Sequence, residues 1–242
     1  KNVQASVEKD GLTFIEGMRL LAGTNKDFTE STIELDENDS WSHVSAGSWL
    51  QNTLEQLRDP NNIKAKTPGA QLKATLRPYQ ISGLNWLDLL TELGLGACLA
   101  DDMGLGKTIQ IIALLLLKKQ QGRAQQPSIL VLPASLLSNW KSELERFSPS
   151  INALYLHSSE IDKQQLNDKA TQLHNIKTAD LVLTTYGMLT RLPWLTEQTW
   201  QLVIIDEAQA IKNPTAKQTK AVKNLNGKSR ISLTGTPIEN RL

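Results

Sequence analysis

Eight consecutive residues, Asp101-Asp102-Met103-Gly104-Leu105-Gly106-Lys107-Thr108, carry the densest chemical signal in the chain. Two glycines let backbone N–H groups approach an anion closely, and a lysine and a hydroxyl follow at once. A phosphate chain needs such parts: inward-pointing amides, a helix N-terminus aimed at the charge, a lysine for the outer phosphates and a hydroxyl for Mg2+. The spacing is that of a P-loop except at its first glycine, where Asp101 stands. About a hundred residues later the apolar run 202–205 ends in Asp206 and Glu207. Adjacent carboxylates at the end of a buried strand are costly unless a cation or hydrogen bonds offset their repulsion. Asp206 suits a Mg2+ ion held through its water shell, and Glu207 suits a general base polarising an attacking water. Phosphoryl transfer asks for little more than positioning and charge neutralisation.

Two further pieces have the residue types to serve the same chemistry. Ser232-Leu233-Thr234-Gly235-Thr236-Pro237 closes another apolar run with small hydroxyl residues, which could sense the γ-phosphate through Gln209. Leu76-Arg77-Pro78-Tyr79-Gln80 sets a proline at a helix start, followed by a glutamine whose amide matches the donor and acceptor of an adenine edge. Taken singly, each has a plainer reading. The first could be a glycine-rich turn with a capping threonine, the second a surface turn opening with two acids. The third could be a strand and turn, and Gln80 a surface helix residue.

The elements that would hold these residues alternate. Short apolar strands are expected at 97–100, 129–132, 153–156, 181–184, 202–205 and 231–233, with helices at 78–93, 107–121, 135–147, 161–176 and 215–225. Uniformly apolar strands separated by helices indicate an α/β fold with a parallel sheet covered on both faces. Ligands on such sheets sit at the carboxyl ends of strands, where the informative residues fall.

The first seventy residues differ. They hold seven basic and eleven acidic residues, a net of −4, with six acids and no base between Asp27 and Asp39. Thr13-x-x-Glu16 reads as a capping box for a helix with Phe14, Ile15, Met18, Leu21 and Ala22 on its apolar face, and Ser48-x-x-Gln51 could cap a second. A linker over 59–70 separates this small, mostly helical accessory segment (1–70) from the α/β lobe (71–242). The whole chain of 242 residues carries +1, so the remainder carries +5. Between Ala208 and Ile238 six bases, Lys212, Lys217, Lys220, Lys223, Lys228 and Arg230, meet no acid, and Lys217, Lys220 and Lys223 share a helix face. That face is either solvated or in contact with phosphates. One cysteine, Cys98, excludes an internal disulfide and suits a reducing compartment. The longest apolar run, 111–117, falls far short of the roughly 18 residues of a membrane span, so no membrane partner is expected.

Six segments appear together and in order: LRPYQISGLNWL, LADDMGLGKTIQ, ILVLPASLLSNW, VLTTYGML, VIIDEAQAIKN and ISLTGTPIENRL. In that order and spacing the chain resembles the Swi/Snf-type ATPases of helicase superfamily two, over 72–242, and is similar to bacterial members in its DEAQ motif. The resemblance implies a P-loop, RecA-like lobe that binds ATP with Mg2+ and helps a motor move along double-stranded DNA in the bacterial cytoplasm, near the nucleoid. Arg77 and Gln80 would recognise adenine, and Asp102, Met103, Gly104, Leu105, Gly106, Lys107 and Thr108 would hold the phosphates. Asp206 and Thr108 would bind Mg2+, and Glu207 would handle the water. Gln209, Thr234, Gly235 and Thr236 would couple hydrolysis to movement. Ser135, Asn139, Trp140, Lys141 and Thr185 lie where the family touches the DNA backbone. Asp102 and Gln209 stand where many members have Glu and His.

The resemblance also implies partners: duplex DNA, a second RecA-like lobe carrying an arginine finger, and a DNA-bound protein target. The sequence stops at Leu242, before any second lobe, and the expectation is a fragment that binds nucleotide but turns it over slowly. A strand-separating helicase of the same superfamily and a nucleotide-binding scaffold without turnover are the rival readings.

Overall fold

The computed structural model describes residues 52–53, 55–57, 59, 63, 65–122 and 126–235. The chain divides into two compact units, Lys1–Asn62 and Ile63–Leu242. In the first, 52–53 and 55–57 are helical, where the pattern after Ser48 anticipates a helix, while the helix expected from Thr13 lies outside the described residues.

The second unit is built on six strands: β1 (Ala97–Leu99), β2 (Ser128–Leu132), β3 (Ala153–Leu156), β4 (Leu181–Thr185), β5 (Thr199–Ile205) and β6 (Asn226–Leu233). They form one sheet in the order β1-β6-β5-β2-β4-β3, and every neighbouring pair is parallel. Period-two alternation sends successive side chains to opposite faces, and here both faces are apolar. Leu130, Leu132, Leu181, Leu183, Leu202, Ile204, Ile231 and Leu233 join one core with helices α1 (Pro78–Glu92), α2 (Lys107–Gln120) and α3 (Leu137–Phe147). Ile129, Val131, Val182, Val203 and Ile205 join a second core on the other face. That face is covered by α5 (Lys169–Thr178), α6 (Tyr186–Arg191) and α7 (Lys217–Lys223). The run 111–117 belongs to α2, which packs against both α1 and α3 and is therefore buried all round.

Each expected strand is present. The helix expected over 161–176 is two helices, α4 (Lys163–Asn167) and α5, broken at Asp168. The Asp168 carboxylate accepts hydrogen bonds from the backbone of Ala170 and Thr171 and caps α5. Residues read as linker are anchored from Lys66 onward. Its backbone N–H donates to Asn85 Oδ1 at 2.8 Å, and its ammonium pairs with Asp88 at 2.6 Å and Glu92 at 3.0 Å. Asp88, with no solvent exposure, also pairs with the buried Lys118 of α2 at 3.2 Å. This charge cluster pins α1 to α2 near their C-terminal ends, away from the glycine-rich loop that leads into the N-terminus of α2.

β6 sits between β1 and β5, so the three strands that end in the candidate site motifs are neighbours. Leu99 stands beside Leu233, and Ile205 beside Ser232. Segments separated by more than a hundred residues thereby emerge side by side at the carboxyl edge. The fold positions the site by strand order.

Candidate active site

The loop after β1 turns twice through left-handed backbone, at Gly104 (φ 83°) and Gly106 (φ 80°), and Gly106 caps α2. A Cβ at Gly106 would also come within 2.6 Å of Gln80 Nε2, so conformation and space both demand glycine. The first-turn amides of α2 have no helical partner and lie at the positive end of its dipole. Lys107 Nζ donates to the carbonyl oxygens of Asp101 at 2.6 Å and Asp102 at 3.1 Å. Asp101, in the place of the usual first glycine, has its carboxylate held by Gln110 Nε2 at 2.8 Å. Gln110 is fully buried, and a Cβ at Gly83 of α1 would collide with its Oε1 at 2.1 Å. Gly83 and Gln110 are thus a matched pair that the sequence pattern did not reveal; the signal was a polar residue in the first turn of α2, directly before its apolar run.

From α1, Tyr79 Oη donates to Leu105 O at 2.9 Å and Gln80 Nε2 to the same oxygen at 3.1 Å. Gln80 Oε1 accepts from the Arg77 backbone N–H at 2.9 Å, and Gln80 is 7% exposed. These bonds tie the start of α1 to the crest of the phosphate loop. Arg77 is exposed.

Across the cleft, Asp206 is 8% exposed. Its Oδ2 accepts from Trp140 Nε1 at 2.7 Å and its Oδ1 from the Glu207 backbone N–H at 2.9 Å. Burial pushes the Asp206 carboxyl above the usual carboxylate range, and those two donors oppose the shift. Tyr186 Oη donates to Asp206 O at 2.6 Å, and burial beside Asp206 and Glu207 pushes that phenol up. Glu207 has φ 48°, the one non-glycine residue with positive φ among the described residues. Such backbone costs of order 1–3 kcal/mol and persists only where the surroundings enforce it. Gln209 Nε2 donates a short hydrogen bond to Glu207 Oε2, and Thr234 Oγ1 donates to Gln209 Oε1 at 3.0 Å. The Thr234 backbone N–H donates to Leu99 O at 3.2 Å. A continuous polar chain therefore joins Glu207 of the β5 loop to the end of β6, next to β1.

A cleft of about 310 Å3 is lined by Gly104, Gly106, Lys107 and Thr108 on one side and Asp206 and Glu207 on the other. Asn139, Trp140 and Glu143 of α3 also line it, as does Met103, which is 76% exposed. Gly235 lies against Met103, close enough that a Cβ there would sit 3.2 Å from its Cγ, while Thr236 lies outside the described residues. Neither Arg77 nor Gln80 lines this cleft.

Two of the residues expected at the DNA backbone are buried in this lobe. Trp140 is 1% exposed, its ring in the core and its N–H on Asp206, and Thr185 is 5% exposed with its hydroxyl accepting from Met188 N to cap α6. Both side chains are engaged in contacts within the lobe. Asn139, although exposed, stands in the cleft with its amide donating to Glu143 at 3.3 Å. Ser135 is exposed, and Lys141 pairs with Glu160 at 2.6 Å over the Tyr155 ring. Of the six bases near the chain end, Arg230 is structural, donating to the carbonyls of Val222, Lys223 and Leu225 at the end of α7. Lys217, Lys220 and Lys223 are exposed.

Among the described residues no helix is long and apolar enough to cross a membrane, and no three or more His, Cys, Asp or Glu side chains gather as a metal cluster. One carboxylate and one hydroxyl facing a phosphate loop is a donor set that fits Mg2+, which keeps much of its water and shares substrate oxygens.

Residues 79–242 match the SNF2-related domain. The chain is 43% identical over 194 residues to the putative ATP-dependent helicase/translocase YwqA of Bacillus subtilis, covering 80% of this chain and 20% of that protein. It is 38% identical over 187 residues to the chromatin-remodeling ATPase INO80 of Cryptococcus neoformans, covering 75% of this chain and 10% of that one. Its fold is similar to the Sulfolobus solfataricus SWI2/SNF2 ATPase core in complex with dsDNA, with TM-score 0.62 and 44% identity over 71% of this chain and 34% of that one. The chain thus spans about a fifth of the length of the bacterial relative. With its parallel sheet, and its P-loop and DEAQ segment on the two strands that flank β6, the chain belongs to the SNF2-related domain family.

Proposed function

We propose that this lobe binds ATP with Mg2+ and that, in the full-length protein, its hydrolysis drives movement along double-stranded DNA. The observation that carries the reading is the convergence of Lys107, Asp206 and Glu207 on one cleft, with Glu207 wired through Gln209 to Thr234. The loop amides and the α2 N-terminus receive the phosphates. Lys107, now on two neutral carbonyls, exchanges them for charged phosphate oxygens, which are stronger acceptors. Thr108 and Asp206 would hold Mg2+, which neutralises charge on the β- and γ-phosphates. Glu207 accepts the proton of the water that attacks the γ-phosphorus as the bond to the ADP oxygen breaks. Gln209 occupies one Glu207 oxygen and leaves the other for that water.

Arg77 and Gln80 would meet adenine, with Gln80 also setting the height of the loop. Ser135 and Lys141 would touch the DNA backbone, beside a second RecA-like lobe that supplies the arginine finger. A DNA-bound protein is the remodelled target, in the cytoplasm of a bacterium. Likeness to the dsDNA-bound SWI2/SNF2 core supports the duplex track.

The test uses the full-length protein. ATP turnover should rise with duplex DNA, and a triplex-forming strand should be displaced without separation of the duplex. Glu207→Gln should lower kcat by about 10²–10⁴-fold while ATP stays bound. Unaltered turnover in that variant would return the scaffold reading, and duplex unwinding would return the strand-separating one.

A further inference from the structure

We propose that Trp140 is a positioning residue for Asp206, fixing the carboxylate that faces the phosphate loop. The inference rests on the reading of Asp206 as the Mg2+ ligand.

Trp140 and Asp206 lie 66 residues apart in sequence, yet the indole N–H and Oδ2 are 2.7 Å apart and both residues are buried. A buried indole needs an acceptor for its one N–H, and any carbonyl would satisfy it. Here the acceptor is a carboxylate in the cleft, which makes the bond charge-assisted and directional. Each Asp206 oxygen takes one protein donor, Oδ2 from Trp140 and Oδ1 from Glu207 N–H, so the side-chain rotamer is set while lone pairs remain for a metal's water shell.

The backbone of the same residue is held from the other face of the sheet. Trp140 belongs to the core shared with α1 and α2, whereas Tyr186, which donates to Asp206 O at 2.6 Å, belongs to the opposite core. The Asp206 N–H in turn donates to Val131 O at 2.9 Å. Side chain, carbonyl and amide are each tied to a different element, and among the described residues Trp140 alone donates to the ligating group from outside the β5 loop. Groups that orient a metal ligand in this way typically change metal affinity by about 10–100-fold when removed.

The experiment measures binding of a fluorescent ADP analogue to the full chain, in excess Mg2+ and in EDTA, for wild type, Trp140→Phe, Asp206→Ala and the double variant. Phe keeps most of the ring and removes the N–H. Trp140→Phe should reduce the Mg2+-dependent gain in affinity by about 10–100-fold, leave the EDTA affinity unchanged, and add nothing in the Asp206→Ala background. An unchanged Mg2+ gain, an equal loss with and without Mg2+, or an additive effect in the double variant overturns the inference. A wild type in which Mg2+ adds nothing overturns the reading of the site together with it. Should Trp140→Phe not fold, the indole N–H resonance of Trp140 in the wild type decides. It should move when Mg2+ is added to the ADP complex, and a resonance that stays still overturns the proposal.

Discussion

The two halves of the sheet obey different rules. In the half formed by β2, β4 and β3, the strands β2 and β4 run Ser128 to Leu132 and Leu181 to Thr185 with every residue buried. In the half formed by β1, β6 and β5 the chain leaves the carboxyl ends of the strands through two left-handed glycines, a left-handed glutamate, a buried aspartate and an exposed Met103. Backbone strain and the buried Asp206 carboxylate gather where phosphate chemistry is proposed, and the regular half supplies the rigidity that enforces them.

This contrast can be broken by substitutions on either side. The largest effect on stability is expected from the cluster that pins α1 to α2. Asp88→Ala leaves Lys118 buried beside Lys66 without its carboxylate and should cost about 3–5 kcal/mol, whereas replacing both Asp88 and Lys118 by apolar residues of similar volume should be close to neutral. Denaturant unfolding measures both. The pH dependence has a definite sign. Burial holds Lys118 below the ordinary 10.5, with Asp88 opposing. Between the folded and unfolded values the unfolded chain binds more protons, so stability rises with pH across that window. In Asp88→Ala the opposing attraction is gone, and the rise should begin at lower pH.

Next, Leu130→Ala at the sheet centre should cost about 2–5 kcal/mol and leave nucleotide affinity of the folded protein unchanged. Comparable affinity losses from Leu130→Ala and from substitutions in the cleft would erase the distinction between the halves.

A smaller effect of opposite sign is expected at Glu207. Glu207→Gly removes the left-handed strain and should raise stability by about 0.5–1 kcal/mol while abolishing turnover. A thermal melt showing lower stability would mean that the hydrogen bond from Gln209 outweighs the strain. The smallest effect belongs to α7. Replacing Lys217, Lys220 and Lys223 by Gln should leave the salt dependence of DNA binding unchanged if that face is solvated, and lower its logarithmic slope by about 2.7 if all three meet phosphates.

The same contrast governs what was legible in the sequence. The central strands announce themselves because both faces are apolar and no polar residue interrupts the run. β5 and β6 are longer than expected because Thr199, Gln201, Lys228 and Arg230 hide their opening residues. α6 and the turn of helix at Pro193–Glu197 were not foreseen, being short and separated by a proline. The phosphate loop and the Asp206-Glu207 pair were legible because their parts are contiguous. The inward turn of Trp140 was not legible because family likeness locates α3 without its rotation: Asn139 is exposed, while its neighbour Trp140 turns inward to Asp206. Tyr79 and the Gly83–Gln110 pair were missed because each acts across the seam between α1 and the loop–helix segment of α2, on groups distant in sequence.

The central claim is that segments far apart in sequence form one ATP site because β6 lies between β1 and β5. Amide hydrogen exchange with and without ATP and Mg2+ tests it most directly. The account predicts slower exchange together in 102–108, 206–209 and 233–235, and loss of all three effects in Lys107→Ala. Protection confined to 102–108, or protection that survives Lys107→Ala, would contradict it.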